Sequence, residues 1–283
     1  MLTTNRVIWK DNATLKDLSR TLNNFMSGTQ VIDFVAADDK LYIGAEVPFN
    51  HRYIHVSVVN DQASVVSVDL WDGDEWVPCV DIQDGTDVGG VSLARSGILR
   101  WSTPENSSWM KEESTEDMTG SGISTLKVFG MYWARISFSG DLKNTTALKY
   151  VGHKFSEDED LNGYYPDLNR STVKTAFQQG KTDWMEQHVI AAEEVFRQLF
   201  NQRQAWSKSQ IWEPENFTQA AVHKVAEIIY TSFGDEYEGR RDDARAKFKE
   251  SMSDAIAKGV DVDEDGHYDD EERVGYTASF VRR

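Results

Sequence analysis

Residues 261–272 read DVDEDGHYDDEE, and eight of these twelve side chains are carboxylates. The stretch matches the calcium-loop pattern D-x-D-x-[DN]-G-x5-E at every specified place. In that reading Asp261, Asp263 and Asp265 offer side-chain oxygens from the first, third and fifth positions. Gly266 permits the sharp turn and His267 contributes its backbone carbonyl. Asp269 reaches the ion directly or through water, and Glu272 closes the sphere with both oxygens. A hard cation needs six to eight oxygens converging from a short loop, and its charge offsets the repulsion of crowded carboxylates. A solvated acidic tail is the competing reading, and it needs neither glycine at the sixth place nor glutamate at the twelfth. The following RVGYTASFVRR is a poor exit helix, and the chain holds no second loop, so the unit would be half of an EF-hand. Calcium bound there is expected to be structural, pinning the terminal segment to the helical domain or to a neighbouring subunit.

Other catalytic signatures are missing. No G-x-S-x-G elbow, P-loop, dinucleotide glycine fingerprint or H-E-x-x-H occurs. TGSGIS (residues 119–124) lacks the lysine of a phosphate cradle and reads as a flexible loop. His51 and His55 are four apart but lie in a strand-like run, where that spacing separates side chains along one face. His188 and His223 fall on predicted helices among apolar residues and read as packed or interface histidines. Carboxylates are too abundant to nominate a glycosidase pair. Trp71, Trp76, Trp101 and Trp109 allow a sugar-stacking platform, but packing inside a sheet protein is the preferred reading. No catalytic residue is nominated, and the chain is expected not to be an enzyme.

The elements that position these groups divide into two halves. The 283-residue chain carries a formal charge of −17, with 40% apolar residues, nine tryptophans, ten tyrosines and thirteen phenylalanines. That aromatic content argues against general disorder, and the acidic balance disfavours tightly gripped nucleic acid. The single cysteine, Cys79, excludes an internal disulfide and reads as a buried, inert thiol. The N-terminus lacks a secretory h-region and no stretch is long enough to span a membrane, so folding in a reducing cytoplasm as a soluble protein is expected. Short β-branched and aromatic runs at 52–59, 64–71, 75–82, 96–101 and 132–140 predict strands. Asp72-Gly73 suggests a two-residue hairpin turn. After the polar connector EDEDLNGYYPDLNRST the period becomes helical. A short helix follows Ser171. A longer one over about 182–202 has Trp184, His188, Ala191, Val195, Leu199 and Arg203 along one side. Pro214 and Asn216 open a third, with a stripe of Val222, Val225, Ala226, Ile229 and Phe233. The last, about 235–258, is heavily charged and anchored only by Phe248, Met252, Ala255 and Ile256, and Gly259 is placed to stop it. The expected class is α+β. An antiparallel β-sandwich-like domain covers residues 1–160, an α-helical bundle 161–258, and an extended acidic segment and arm 259–283.

Together these features resemble virion proteins of tailed bacteriophages, in particular head-to-tail connectors. LYIGAEVPFNHRYIHVSVVND, LWDGDEWVPCVDIQDGT, SGILRW and MYWARISFSGDL are similar to the β portion of such proteins. FQQGKTDWMEQHVIAAEEVFRQL and AAVHKVAEIIYTSFG are similar to the helical module of adaptors. The resemblance spans about residues 40–256 and rests on order and texture, not on a short diagnostic motif. It implies a ring, usually of twelve copies, beneath the portal protein in the virion neck, assembled in the host bacterial cytoplasm. Such a ring extends the DNA channel without reading sequence and presents a platform to the stopper or tail. It also implies a terminal arm reaching into the portal, for which Tyr276, Phe280, Val281, Arg282 and Arg283 are the candidates. The added β domain departs from the smallest adaptors and would contact capsid or fibres. A carbohydrate-binding baseplate or fibre-attachment protein is the alternative.

The calcium reading predicts heat on isothermal titration of the purified chain with Ca²⁺, lost in Glu272→Gln. No heat at millimolar calcium leaves the acidic tail as the answer.

Overall fold

The computed structural model describes residues 5–104, 109–112, 118, 120–202, 204–256 and 260. Contacts divide the chain into two compact units, the first through Gly152 and the second from His153 onward. The first unit contains two antiparallel sheets, and the second is helical.

Eleven strands form the first unit's sheets: β1 (Arg6–Asp11), β2 (Thr14–Asp17), β3 (Gln30–Val31), β4 (Lys40–Ala45), β5 (His51–Val58), β6 (Val66–Trp71), β7 (Trp76–Pro78), β8 (Val80–Asp84), β9 (Gly97–Ser102), β10 (Tyr132–Phe138) and β11 (Ala147–Gly152). One sheet has the order β2-β1-β4-β10-β6-β7, and the other β3-β11-β5-β9-β8. A short helix, α1 (Ser19–Leu22), follows β2. Alternation sets the core. Val7, Leu41, Ile43, Val68 and Ile136 from the first sheet and Ile54, Leu99, Trp101, Leu148 and Val151 from the second belong to one buried cluster.

The outer side of the first sheet is only partly wet. In β10, Arg135 and Ser137 lie on that side, where Arg135 reaches Asp69 at 2.9 Å. Trp133, of the same parity, is fully buried in a second aromatic layer with Tyr42, Trp71, Met118, Ile123 and Met131. Gly44, its cross-strand partner, makes room for it: a Cβ there would sit 2.7 Å from the Trp133 ring. The TGSGIS stretch contributes to this layer. Expected to be a flexible loop, it carries a short 3-10 turn (Ile123–Leu126), and the side chain of Ile123 is wholly buried. The apolar cost of exposing that isoleucine outweighs the freedom of the flanking glycines.

The Asp72-Gly73 hairpin also differs from expectation. Trp71 pairs with Trp76, leaving a four-residue loop in which Gly73 takes φ +110°. The Asp72 carboxylate accepts from the backbone N–H groups of Asp74 and Glu75, which fixes this longer turn. The two-residue hairpin turn lies elsewhere, between β1 and β2, with Asn12 at φ +52°.

The second unit begins where the sequence suggested only a polar connector. Residues Asp158–Tyr164 form helix α2. Its first turn is built by a reciprocal cap in which Asp160 accepts from the Glu157 N–H, and three acidic residues oppose the positive end of the helix dipole. Leu161 anchors it. Helices α3 (Ser171–Phe177), α4 (Met185–Asn201), α5 (Thr218–Ser232) and α6 (Glu238–Ile256) follow. On α4, His188, Ala191, Val195 and Leu199 are buried in line, with Trp184 just before its first turn. On α5, Val222, Val225, Ala226 and Ile229 are wholly buried. On α6 the buried residues include Ala244, Phe248, Met252 and Ala255, a narrow stripe on a charged helix. No helix among the described residues is long and apolar enough to cross a membrane.

Candidate functional site

The residues singled out for metal, Asp261, Asp263, Asp265, His267, Asp269 and Glu272, lie outside the described residues. So do the arm residues Tyr276, Phe280, Val281, Arg282 and Arg283. The chain is fixed immediately before them: Val260 is buried and forms an antiparallel bridge with Ile211. Among the described residues no group of three or more His, Cys, Asp or Glu side chains is placed to share a metal ion. His51 and His55 have separate partners, Asn50 for the first and Tyr53 and Ser96 for the second. Cys79 is buried, and burial pushes its thiol far up, away from the reactive thiolate.

The tryptophans of the sugar-platform alternative have their faces engaged. Trp71, Trp101 and Trp109 are buried. Trp76 lies between Trp71 and Tyr42, with the Arg135 guanidinium 4.8 Å from its ring centre. A stacking platform needs open indole faces, and these four do not offer them.

Two clusters in the helical unit carry chemical groups at bonding distance. In the first, the Asp158 carboxylate at the start of α2 gathers three partners. Lys174 of α3 donates to Oδ2 at 2.6 Å, the Trp184 backbone N–H donates to Oδ1 at 3.0 Å, and His188 Nε2 lies 3.3 Å from Oδ1. Burial alone would raise the Asp158 pKa. The bonds from His188, Lys174 and Trp184, with the Lys174 charge, outweigh it and hold the carboxyl at about 2. An ionised carboxylate only accepts, so Nε2 carries the imidazole proton. Nδ1 then accepts from the Ser156 hydroxyl, 2.7 Å away. Burial keeps His188 neutral, with its pKa below the ordinary value.

Ser156, His188 and Asp158 thus stand in the order of a hydrolytic triad. Their surroundings make them a strut. Ser156 is 2% exposed and His188 1%, so the hydroxyl faces no solvent from which a substrate arrives. Asp158 is already committed to a lysine and a backbone N–H. The group ties the starts of α2 and α4 to α3. The sequence signal that could have found it is the Glu157-x-x-Asp160 capping spacing, which marks 158 as a helix start.

The second cluster is a ladder of alternating charge across α4, α5 and α6. Arg197 pairs with Glu194 at 2.6 Å, and Lys224 lies 3.8 Å from Glu194 and 2.9 Å from Glu227. Arg245 reaches Glu227 at 2.8 Å and Asp242 at 3.5 Å. Arg241 then links Asp242 to Glu238, both at 3.1 Å. Glu227 is the buried hub, its side chain 9% exposed. Burial would raise its pKa, but bonds from Arg245 and Lys224 lower it. Beside this ladder lies a groove of about 180 Å³ between the three helices. Next to Lys224 on α5, His223 shares a 2.9 Å hydrogen bond with the Tyr165 hydroxyl, and burial lowers its pKa.

A scan against protein-family models matches none, and no curated protein is significantly similar to the chain.

Asp158→Asn is expected to leave the buried Lys174 ammonium without its charge partner and to lower stability by about 3 kcal/mol in urea titration. The double variant Asp158→Asn, Lys174→Met should recover a large part. If the single variant is as stable as the parent, Asp158 is not the tie described here.

Neutral His188 also sets a pH dependence. As pH falls through 6.5, the ordinary histidine value, the unfolded chain takes up a proton that folded His188 refuses, so stability falls on that side. Asp158, depressed in the folded state, adds a further loss as pH falls from the ordinary carboxylate range toward about 2. Replacing His188 with Gln should make the decline between pH 7 and 5 shallower, by up to about 1.4 kcal/mol per pH unit. Chemical denaturation across that range reads the slope, and an unchanged slope refutes the assignment.

Proposed function

We propose that this chain is a structural virion protein of a tailed phage, a head-to-tail adaptor that forms a ring under the portal and extends the DNA channel toward the tail. The observation that carries this reading is the division of labour in the helical unit. Helices α4 and α5 supply the apolar centre, while α6 attaches by Ala244, Phe248, Met252 and Ala255. The remaining sides of α6 carry charges of both signs, including Arg241, Asp242, Asp243 and Lys247. A closed ring joins two different faces of each subunit, and mixed charge on one long helix suits such a head-to-tail contact between copies.

The acidic balance adds a second support. A channel wall rich in carboxylates repels phosphates, so a genome passes without adhering. The proposed partners are the chain itself, with twelve copies as the expected number, the portal, and a stopper or tail protein. The sheet unit is proposed to contact capsid or fibres. Calcium, where present in 261–272, acts as a structural ion.

Native mass spectrometry of the full chain mixed with its portal tests the proposal. A ring on the portal is the expected product, and deletion of residues 274–283 should abolish docking while leaving the circular dichroism spectrum unchanged. A chain that stays monomeric with its portal, or that binds cell-surface polysaccharide as a trimer, overturns the adaptor reading.

A further inference from the structure

The groove between α4, α5 and α6 has a composition unlike the rest of this acidic chain. Four cationic side chains line it: Arg197, Lys224, Arg245 and Lys249. Two carboxylates, Glu194 and Glu227, face them. Both are already engaged in the ladder with Arg197, Lys224 and Arg245, and no carboxylate among the described residues pairs with Lys249. Asp242 at the edge takes a second bond from Arg245, so the groove keeps a local excess of one positive charge, on Lys249, in a protein whose formal charge is −17. A concave surface of one sign concentrates ligands of the other.

We propose that this groove is a binding site for a carboxylate-rich peptide segment of a partner protein. The size and lining separate this ligand from a small anion. The volume of about 180 Å³ is far above the ~10–15 Å³ that holds one water. The α4 wall presents residues 194, 197, 198 and 201 along one stripe, a run of about 10 Å at the helical rise. Gln198 and Asn201 add amide groups that both donate and accept, as a peptide backbone requires. Phe248 gives an apolar floor, with the Lys224 ammonium 5.2 Å from its ring centre. Inorganic phosphate would use the cations and leave the amides and the ring idle. Duplex DNA carries a fixed charge every ~1.7 Å along its axis and cannot turn its phosphates away from Glu194 and Glu227, as a flexible peptide can turn its side chains. An acidic peptide uses every part: carboxylates to Lys249 and Arg197, backbone to the amides, side-chain carbons to the ring. The site stands apart from the adaptor proposal, because a monomer presents the same groove.

The test is calorimetric titration of the full chain with hexaglutamate, with inorganic phosphate and a short DNA duplex as separate arms. The variant is Arg197→Gln with Lys249→Gln. The Arg197 side chain is 65% exposed, and neither residue belongs to the apolar centre, so the fold is expected to persist; thermal unfolding checks this. Hexaglutamate should bind the parent with an affinity that falls as salt rises, and the double variant should bind about tenfold more weakly, the combined scale of two partly exposed ion pairs. Equal affinity in parent and variant overturns the site. No binding of the peptide at millimolar concentration also overturns it, as does phosphate or duplex DNA binding as tightly as hexaglutamate. Because the readout is peptide affinity and not ring formation, failure here and failure of the adaptor reading are separately visible.

Discussion

The helical unit depends on one carboxylate. Among the described residues Asp158 is the acceptor that the buried ammonium of Lys174 uses, and it also accepts from the Trp184 backbone N–H at the start of α4 and from His188 Nε2–H. A buried lysine is tolerated only when paired, and the half-buried Asp158 carboxylate is held ionised by the bonds it accepts. Lys174, the Trp184 N–H and His188 supply those bonds, so α2, α3 and α4 are tied through one group. That tie gives a short helix such as α2, too short to be stable alone, a defined position. Ser156, which in another setting would be a nucleophile, completes the bonding of the imidazole from the opposite side.

The same logic governs α6 with weaker forces. Among the described side chains Ala244, Phe248, Met252 and Ala255 form a narrow apolar stripe along the nineteen residues of this charged helix. Glu227 on α5 adds a polar tie by receiving Arg245 from α6 and Lys224 from its own helix. Exposed members of the ladder contribute little singly, since ion pairs in water are worth about 0–1 kcal/mol. The buried hub sets the register of α6 against α5, while the outer rungs stay available to solvent or to another molecule.

Much of this architecture was legible in the sequence, and the failures have physical reasons. The helical stripes on α4 and α5 were readable because a period of 3.6 with wholly buried positions leaves a clean pattern. The strand at Tyr132–Phe138 was readable by alternation, but not the burial of Trp133, because its cover comes from a segment distant in sequence, around Met118, Ile123 and Met131. Strands β1 to β4 and β11 are not among the predicted ones, and the single strand expected at 75–82 is two, β7 and β8, in different sheets; Asn12 in the β1–β2 turn is the available clue for the first hairpin. Helix α2 was taken for a connector because its residues are polar, and only Leu161 betrays an inner side. The Glu157-x-x-Asp160 spacing marks a helix start at Asp158 but not its partners, because Lys174, Trp184 and His188 lie 16, 26 and 30 residues away. The terminal carboxylates, the strongest motif in the chain, lie outside the described residues.

Where an acidic protein places its cations says what they are for. With 30 lysines and arginines against 47 carboxylates, most cations can find an anion nearby, as Arg135 does with Asp69 and Lys143 with Asp61. Such pairs lie wherever strands happen to bring them together. The groove between α4, α5 and α6 is different, because Arg197, Lys224, Arg245 and Lys249 converge there from three helices and Lys249 has no carboxylate partner among the described residues. Lys224 and Arg245 meet at Glu227 to fix α6 against α5, but Lys249 takes no part in that tie. Under the proposal above, a partner's carboxylate supplies the negative charge that Lys249 lacks. Ser156, His188 and Asp158, by contrast, commit their hydrogen bonds to one another and to tying α2, α3 and α4 together.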